Sequence, residues 1–557
     1  MRESGIPESR SLGRSLLVLA VSALMVTSCA PRADEELRNR EREREATAGL
    51  EVPTGTVSYD EPHRPRFHFS PPSGWMNDPN GLVHYDGEWH LFYQYYPDDT
   101  VWGPMHWGHA VSRDLVRWEH LPIALSPDSL GYIFSGSAVV DWKNTSGFGR
   151  EGTPPLVAIF TYHDPIRGAA GADDHESQGI AYSTDRGRTW RKYAGNPVLP
   201  NPGGKKDFRD PNVFWHEPTA RWVMVVSVTD HVELYASPDL RAWTYLSSFG
   251  ADWGAHGGTW ECPDLFPIRV EGSGETKWVL LLNLNPGGPQ GGSGTQYFVG
   301  DFDGSTFTLD PAFAATLTDG PAVWLDWGRD DYAGVTWSDV PPEDGRRIFL
   351  GWMSNWDYAQ VVPTSPWRSA MTLPRELRLV SLEEGYRVFA RPVGELTTLR
   401  GPAVELPSAT IVGAHDLTGR LASPVSASEL VIEFETGSGT SRWFGVQLSN
   451  EYGERYRFGF DAAAGEFVSD RRGAGDASFA ETFADRVHRA PRLARGDTLR
   501  MHMIFDLASV EVFLDDGATV VTETFFPTVP FDRIALFSDG GEARSLGGKM
   551  IPLTGIW

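Results

Sequence analysis

The sequence contains Ser112-Arg113-Asp114-Leu115-Val116-Arg117-Trp118, repeats it as Ser237-Pro238-Asp239-Leu240-Arg241-Ala242-Trp243, and repeats it with one more residue as Ser183-Thr184-Asp185-Arg186-Gly187-Arg188-Thr189-Trp190. Each copy follows an apolar stretch typical of a strand. In such a turn the Ser or Asp side chain caps the backbone and the Trp packs underneath. One copy per sheet at this wide spacing favours four-stranded blades arranged radially, although three similar hairpins in another all-β fold would give the same pattern.

The rest of the chain from Phe67 onward also predicts strands. Apolar and aromatic runs of four to eight residues, such as Trp89–Tyr95 and Trp222–Val228, are bounded by Gly, Pro, Asn and Asp. The 59 glycines and 40 prolines fit many turns, and no long amphipathic helical pattern is present. We therefore predict an all-β protein with a propeller over residues 61–385.

A second texture begins after Pro402. Glu429–Glu435 and Ser509–Leu514 alternate polar with apolar residues, which is typical of strands with one face in water. Asp515-Asp516-Gly517 predicts a hairpin turn. We predict a β-sandwich over residues 400–557, a length usual for such domains.

The first residues predict a bacterial lipoprotein signal over 1–29. Arg10 and Arg14 precede an apolar run from Leu16 to Val26, and small residues then lead into Cys29. Cleavage before Cys29 would leave it as the acylated N-terminus, anchored to a bacterial membrane on the extracytoplasmic side by this lipid alone. An ordinary secretory signal or a membrane span are the alternatives, but the run is too short for a permanent span. Residues 30–60, rich in Arg, Asp and Glu, predict a charged tether.

Composition excludes several classes of function. The net charge of −25 has the wrong sign for a protein that binds nucleic acid. With only Cys29 and Cys262, no cysteine-rich metal site can form. His106 and His109 have no third ligand in an obvious motif, so we expect neither a metal nor a cofactor. The sequence carries no signal of an oligomeric state.

Three carboxylates stand at the starts of apolar strands. They are Asp78 in Trp75-Met76-Asn77-Asp78-Pro79-Asn80-Gly81, Asp210 in Phe208-Arg209-Asp210-Pro211-Asn212, and Glu261 in Thr259-Trp260-Glu261-Cys262-Pro263-Asp264. Asn-Asp-Pro alone would indicate only a turn. In a propeller, however, the strand starts of successive blades can converge on the axis, so the three acids can face one pocket.

These motifs, in this order, resemble the signatures of glycoside hydrolase family 32. Further matches are Trp102-Gly103-Pro104-Met105-His106-Trp107-Gly108-His109, Phe134-Ser135-Gly136-Ser137 and Gly351-Trp352-Met353-Ser354-Asn355-Trp356. The resemblance implies a five-bladed β-propeller followed by a C-terminal β-sandwich, and a retaining enzyme. It implies that Asp78 is the nucleophile, Glu261 the general acid/base and Asp210 a stabiliser of the transition state. Apolar neighbours and Asp78 should raise the pKa of Glu261, and Arg209 should help keep Asp210 ionised.

The resemblance also implies a fructose pocket. Its members are Asn77, Gln94, Trp102, Ser137 and Arg209. We add Trp356 as a weaker candidate, because a Trp in this aromatic-rich domain is more often a core residue.

The implied activity is hydrolysis of β-fructofuranosidic linkages. The run from Met353 to Leu377 looks most like levanases and exo-inulinases, which favours release of terminal fructose from levan or inulin-type fructans. Sucrose-preferring invertase activity and fructosyl transfer are the alternatives within the family. A non-catalytic glycan-binding surface lipoprotein and an inverting arabinan-cleaving propeller are alternatives of other kinds.

Overall fold

The computed structural model describes residues 58–150, 152–318, 322–420, 425–437 and 439–557. The predicted signal peptide, Cys29 and all but the last three residues of the predicted tether lie outside these ranges. Within them, no helix is long and apolar enough to cross a membrane.

Five antiparallel sheets form the blades of a propeller. The first blade comprises β1 (Gly74–Tyr85), β2 (Glu88–Tyr96), β3 (His106–Ser112) and β4 (Trp118–Leu125). The second comprises β5 (Tyr132–Val140), β6 (Leu156–His163), β7 (Glu176–Ser183) and β8 (Arg191–Lys192). The third comprises β9 (Phe208–His216), β10 (Arg221–Val228), β11 (His231–Ser237) and β12 (Thr244–Phe249). The fourth comprises β13 (Thr259–Arg269), β14 (Thr276–Asn285), β15 (Gly294–Phe302) and β16 (Phe307–Leu309).

The fifth blade is interrupted and also closes the ring. Its strands are β17 (Tyr332–Thr336), β18 (Arg347–Met353), β19 (Trp367–Arg368), β20 (Ala370–Met371), β21 (Arg375–Leu382) and β22 (Gly385–Pro392). β19 leaves this blade and pairs in parallel with β1, where the Gly74 amide donates to the Pro366 carbonyl at 2.8 Å. The predicted propeller boundary at residue 385 is the first residue of β22, and the blade continues to Pro392.

The repeated turns join the third and fourth strands of the first three blades. In the third blade, Asp239 Oδ1 accepts the amides of Arg241 and Ala242, each at 3.0 Å. Leu240 is buried in the left-handed region with φ 63°, and Trp243 Nε1 donates to its carbonyl at 3.1 Å. The predicted combination of a carboxylate cap with a Trp beneath the turn is therefore confirmed.

The remaining strands form the β-sandwich. They are β23 (Val404–Leu406), β24 (Ala409–Asp416), β25 (Ser428–Glu435), β26 (Trp443–Ser449), β27 (Arg455–Asp461), β28 (Glu466–Gly473), β29 (His488–Pro491), β30 (Thr498–Phe505), β31 (Ser509–Leu514), β32 (Thr519–Thr524) and β33 (Arg533–Pro552). Hydrogen bonds connect all eleven, because β33 pairs with β26 over Arg533–Asp539 and with β25 over Arg544–Pro552. One apolar core lies between the two layers.

Helical segments among the residues that the structure describes are few and short. The α-helices are α1 (Pro165–Ala169) and α2 (Pro311–Thr316). The 3-10 segments are Glu217–Thr219, Ala359–Val361, Gly394–Leu399, Thr418–Arg420 and Asp515–Gly517. The all-β prediction is confirmed.

Buried charges join the propeller to the sandwich. Arg375, at the start of β21, donates through Nε to Glu511 Oε2 of β31 at 2.9 Å and through Nη1 to Asp326 Oδ2 at 2.9 Å. His68 lies between Asp506 Oδ2 at 2.7 Å and Glu511 Oε1 at 2.9 Å. All these side chains are buried, so each charge depends on its partners, and Glu511 and Asp506 provide those partners from the sandwich side.

Candidate active site

The first strand of each blade lines the propeller axis and carries an irregularity at the same level. In β1, β5, β9, β13 and β17, three residue steps stand opposite two on the neighbouring strand, which is the pattern of a β-bulge. The bulges contain Asp78, Ser135, Asp210, Cys262 and Ala333. Bulges change the direction of side chains. Here they bring one polar side chain from each of the first four blades to the same end of the axis.

Asp78 is held by three donors. Ser135 Oγ donates to its Oδ2 at 2.5 Å and Asn77 Nδ2 to its Oδ1 at 3.0 Å, while the Cys262 thiol lies 3.6 Å from Oδ2. Trp75 Nε1 donates to Asn77 Oδ1 at 2.7 Å, which fixes the orientation of the amide. Burial raises the pKa of Asp78, and the three donors oppose that rise because they favour the ionised form.

Asp210 lies beside the same thiol. Its Oδ2 accepts the Cys262 amide at 2.9 Å and is 3.7 Å from Cys262 Sγ. Asp210 and Cys262 both have left-handed backbone, with φ 64° and 44°. A non-glycine residue is rarely found there, and such strain is concentrated at functional sites. Cys262 is buried, and burial together with the nearby carboxylates raises the pKa of its thiol.

Glu261 precedes the bulge of β13. Its Oε1 accepts Arg209 Nη1 at 3.2 Å, and its Oε2 accepts the Tyr332 hydroxyl. Burial raises its pKa to about 6 against the effects of Arg209 and Tyr332, and the charge of Asp78 adds to the rise. The predicted causes, burial and Asp78, both act in this direction. A carboxyl with this pKa can donate a proton near neutral pH.

The charge of Arg209 lowers the pKa of Asp210, which is the predicted direction, but burial and the charge of Glu261 outweigh it. The hydrogen bonds of Arg209 go to Glu261, to Asp207 and, through Nε at 3.2 Å, to Glu176 Oε2. Burial is the largest cause of the raised pKa of Asp210, and the direct contacts of Arg209 are made with other carboxylates.

The other predicted pocket residues lie at varying distances from the carboxylates. Gln94 is buried and its Nε2 donates to Asn80 Oδ1 at 2.8 Å and to the Ile133 carbonyl at 3.0 Å. Ser137 Oγ donates to the Pro211 carbonyl at 2.9 Å and accepts the Val213 amide at 3.0 Å. These contacts join neighbouring blades around the axis.

Two tryptophans flank the same end of the propeller. Trp102 is partly buried, and its ring centroid lies 6.0 Å from that of Phe134. Trp356 is also partly buried and stacks at 5.8 Å on Trp75, beside the Asn77 amide acceptor. Trp356 therefore packs against the residue that orients Asn77, and Trp102 packs beside the residue that precedes Ser135.

Three residues that contact the carboxylates, and a fourth that contacts Arg209, were not among the predicted site residues. Ser135 donates to Asp78, Cys262 lies between Asp78 and Asp210, Tyr332 donates to Glu261, and Glu176 accepts from Arg209. Ser135 and Cys262 lie inside motifs that the sequence analysis quotes. Pro263, which follows Cys262, could have indicated a bulge there, because proline within a strand is found at bulges. Tyr332 and Glu176 stand in stretches without any motif.

One group of possible metal ligands lies behind Arg209. Ligand atoms of His163, His175 and Glu176 lie within 4.8 Å of one another. Glu176 already accepts a hydrogen bond from Arg209 and contacts the His163 ring. A cation bound there would compete with the guanidinium for the carboxylate. His106 and His109 belong to no such group among the described residues; His106 contacts the Pro104 carbonyl and His109 contacts His90.

A hydrogen-bonded carboxylate and a nearby carboxyl of raised pKa at one end of a propeller axis are the two groups that a retaining glycoside hydrolase needs. Residues 68–392 match the model of the glycosyl hydrolases family 32 N-terminal domain, and residues 395–550 match that of the family 32 C-terminal domain. The chain therefore belongs to glycosyl hydrolase family 32, as the motifs predicted.

Named relatives and solved structures agree with this assignment. The chain is 47% identical over 501 residues to a levanase of Bacillus subtilis, covering 90% of this chain and 72% of the relative. It is 39% identical over 524 residues to an extracellular exo-inulinase of Aspergillus niger, covering 90% and 96%. The crystal structure of exo-inulinase from Aspergillus awamori matches with a TM-score of 0.82 and 36% identity, over 90% of this chain and all of that one.

Proposed function

We propose that this enzyme releases terminal fructose from levan- or inulin-type fructans by hydrolysis with retention. The observation that carries the proposal is the pairing of Asp78, held by three donors, with Glu261, whose pKa burial raises to about 6. The names of the relatives, levanase and exo-inulinase, support the substrate class.

In the first step, Asp78 attacks the anomeric carbon of the terminal fructosyl unit. The bond to the leaving oxygen breaks while Glu261 gives that oxygen its proton. Asp78 is suited to attack because hydrogen bonds from Ser135 and Asn77 favour its ionised form.

In the second step, Glu261 is a carboxylate and accepts a proton from water. The water oxygen bonds to the anomeric carbon and the bond to Asp78 breaks, so two inversions give net retention. Arg209 and Tyr332 then stabilise the charged Glu261. Asp210, oriented by the Cys262 amide, accepts hydrogen bonds from fructosyl hydroxyls that strengthen in the transition state.

The test compares protein from residue 30 onward with its Glu261→Gln variant on levan, inulin, sucrose and arabinan, with products resolved by chromatography. We expect fructose alone from levan or inulin, and a loss of turnover of roughly 10²–10⁴-fold in Glu261→Gln with sugar binding retained. Glu233→Gln is the matched control, because this glutamate is paired with Lys205 on β11 outside the site.

Each alternative has its own result. Short oligosaccharides would indicate endo action, preference for sucrose an invertase, and fructosylated products a transferase. No product from any substrate in a folded protein would indicate a glycan-binding protein, and inverted product from arabinan would contradict the retaining assignment.

We also propose that Cys29 is lipid-modified and places the enzyme on the extracytoplasmic side of a bacterial membrane. The support is the basic, apolar and small-residue order before Cys29. Detergent phase partitioning of the full chain against Cys29→Ser tests this. The wild type should enter the detergent phase and the variant the aqueous phase; identical partitioning would contradict the anchor.

A further inference from the structure

A second cavity lies at the other mouth of the propeller. Its volume is about 390 Å³, and its lining includes Asn212–Trp215 of β9 and Asp264–Pro267 of β13. These residues follow Asp210 and Glu261 along the same inner strands. A strand rises about 3.3 Å per residue and the bulge at Asp210 shortens that rise, so Phe214 lies on the order of 10 Å beyond Asp210 along β9. The cavity is therefore separate from the candidate active site.

A narrow space lies between the two ends. A cavity of about 30 Å³ between them is lined by Asp210 and Cys262 at one end and by Thr336 and Ser338 at the other. A space of this size holds about one water molecule. A sugar bound at the far mouth cannot reach the carboxylates through the axis, so anything bound there stays unhydrolysed.

Trp142 presents an uncovered ring at this far mouth. Its side chain is 61% exposed, yet its Nε1 donates to Asp339 Oδ1 at 2.8 Å, so the ring is fixed in place. Its centroid lies 5.8 Å from that of Tyr85, which supports one side. A fixed and exposed tryptophan face beside a cavity is suited to stacking on the C–H face of a sugar ring.

Arg347 supplies hydrogen-bond donors to the same cavity. It is half-buried, and its Nη1 donates to Thr336 Oγ1 at 3.4 Å and to the Trp337 carbonyl at 3.2 Å. Within the described ranges it forms no ion pair, so its Nε and Nη2 groups are free to donate to a ligand.

The charges of the lining favour a neutral ligand. Lys143 and Arg347 are offset by Glu217, Asp264 and Asp339, and Lys143 pairs with Glu217 at 2.8 Å. The net charge of these five groups is −1, which disfavours an anion, and burial raises the pKa of Asp264 and of Asp339, which lessens any attraction for a cation. A hydroxyl-rich ligand can accept from Arg347 and donate to carboxylates while it stacks on the indole.

We propose that this cavity is a second, non-catalytic carbohydrate-binding site that takes sugar units of a fructan chain, with Trp142 as the stacking platform and Arg347 as a donor. That the sugar is a fructan rests on the proposed function. A chain held at both mouths of the propeller gains a higher effective concentration at the active site, so long polymers benefit and sucrose does not.

The test counts binding sites by equilibrium dialysis with 1-kestose, in protein from residue 30 onward carrying Glu261→Gln to block turnover. We expect two sites per chain, and one after the further change Trp142→Ala or, independently, Arg347→Gln. Tyr452→Ala is the matched control, because Tyr452 is 64% exposed and lies in the sandwich. A count of one in the parent, or of two in both variants, overturns the proposal.

Kinetics supply the second measurement, on protein with Glu261 intact. Trp142→Ala should lower kcat/KM on long-chain levan or inulin severalfold and leave kcat/KM on sucrose within twofold. Equal changes on both substrates would overturn the role in polymer binding. Dialysis with maltotriose and xylotriose separates the two proposals: occupancy at Trp142 by one of these, without fructan hydrolysis, would keep the sugar site and refute the fructan assignment.

Discussion

Glu261 is a carboxyl on which opposing influences nearly balance. Burial and Asp78 favour its protonated form, whereas Arg209 and Tyr332 favour its charged form, and its pKa comes to about 6. A general acid works only while protonated, so kcat/KM should fall as pH rises through about 6. Removal of a hydrogen bond that stabilises the Glu261 carboxylate should raise the pKa of Glu261 and so move the fall in kcat/KM to higher pH.

Tyr332→Phe tests this balance. The variant loses the hydroxyl that donates to Glu261 Oε2 and keeps the ring, so the pKa of Glu261 should rise. We expect the alkaline limb of the kcat/KM profile on sucrose to move up by about one pH unit. Tyr456→Phe is the control, because its buried hydroxyl contacts Ser469 in the sandwich. An unmoved or lowered limb in Tyr332→Phe would contradict this account of Glu261.

At the scale of elements, the repeated turns stabilise the outer hairpins of three blades. Asp239→Ala removes the acceptor of the Arg241 and Ala242 amides and should lower the free energy of unfolding by about 1–2 kcal/mol. Asp239→Asn keeps an oxygen at this position and should cost less. Chemical denaturation measures both, with the exposed Asp230→Ala as reference. No difference between Asp239→Ala and the reference would refute the capping role.

The same turns show how much of the propeller the sequence pattern could predict. They mark the first three blades, but β15 and β16 are joined through Asp303-Gly304-Ser305-Thr306, and β21 and β22 through Glu383-Glu384, so the repeat alone does not give five. The number five came from the resemblance to a family. Local hydrogen bonding leaves a local signal, whereas the number of blades is a property of the closed ring.

The bulges leave a mark in the sequence at the carboxylates but not at their partners, although the roles of the carboxylates were predicted from the resemblance to a family. Asp78, Asp210 and Cys262 each precede a proline, and proline within a strand is tolerated at bulges because it cannot donate to the ladder. These positions are therefore marked in the sequence. Tyr332 and Glu176 reach the site from other blades, through contacts between residues far apart in the chain. Such contacts leave no pattern in a single sequence.

At the scale of the whole molecule, His68 makes the join between propeller and sandwich sensitive to pH. Burial opposes its charge, but Asp506 and Glu511 outweigh burial and raise its pKa to about 9. An ordinary histidine titrates near 6.5. The stabilisation is therefore complete below about pH 6.5 and is lost as pH rises through about 9.

His68→Gln should remove this dependence. Between pH 6 and 9.5 the free energy of unfolding of the wild type should fall by on the order of 3 kcal/mol more than that of the variant. This amount is equivalent to the shift in the pKa of His68. Urea denaturation at both pH values measures it, with His415→Gln in the sandwich as control. Equal pH dependence in wild type and His68→Gln would show that the stabilisation has another source.

The parallel pairing of β19 with β1 links residues almost three hundred positions apart, at Gly74–Trp367 and Trp75–Arg368. Trp75 in turn orients Asn77 and, through it, Asp78. The contact that closes the ring therefore lies two hydrogen bonds from the proposed nucleophile. A fluctuation that parts the first and fifth blades would disable the chemistry before it exposed much of the core, so loss of activity on heating should precede the bulk loss of structure.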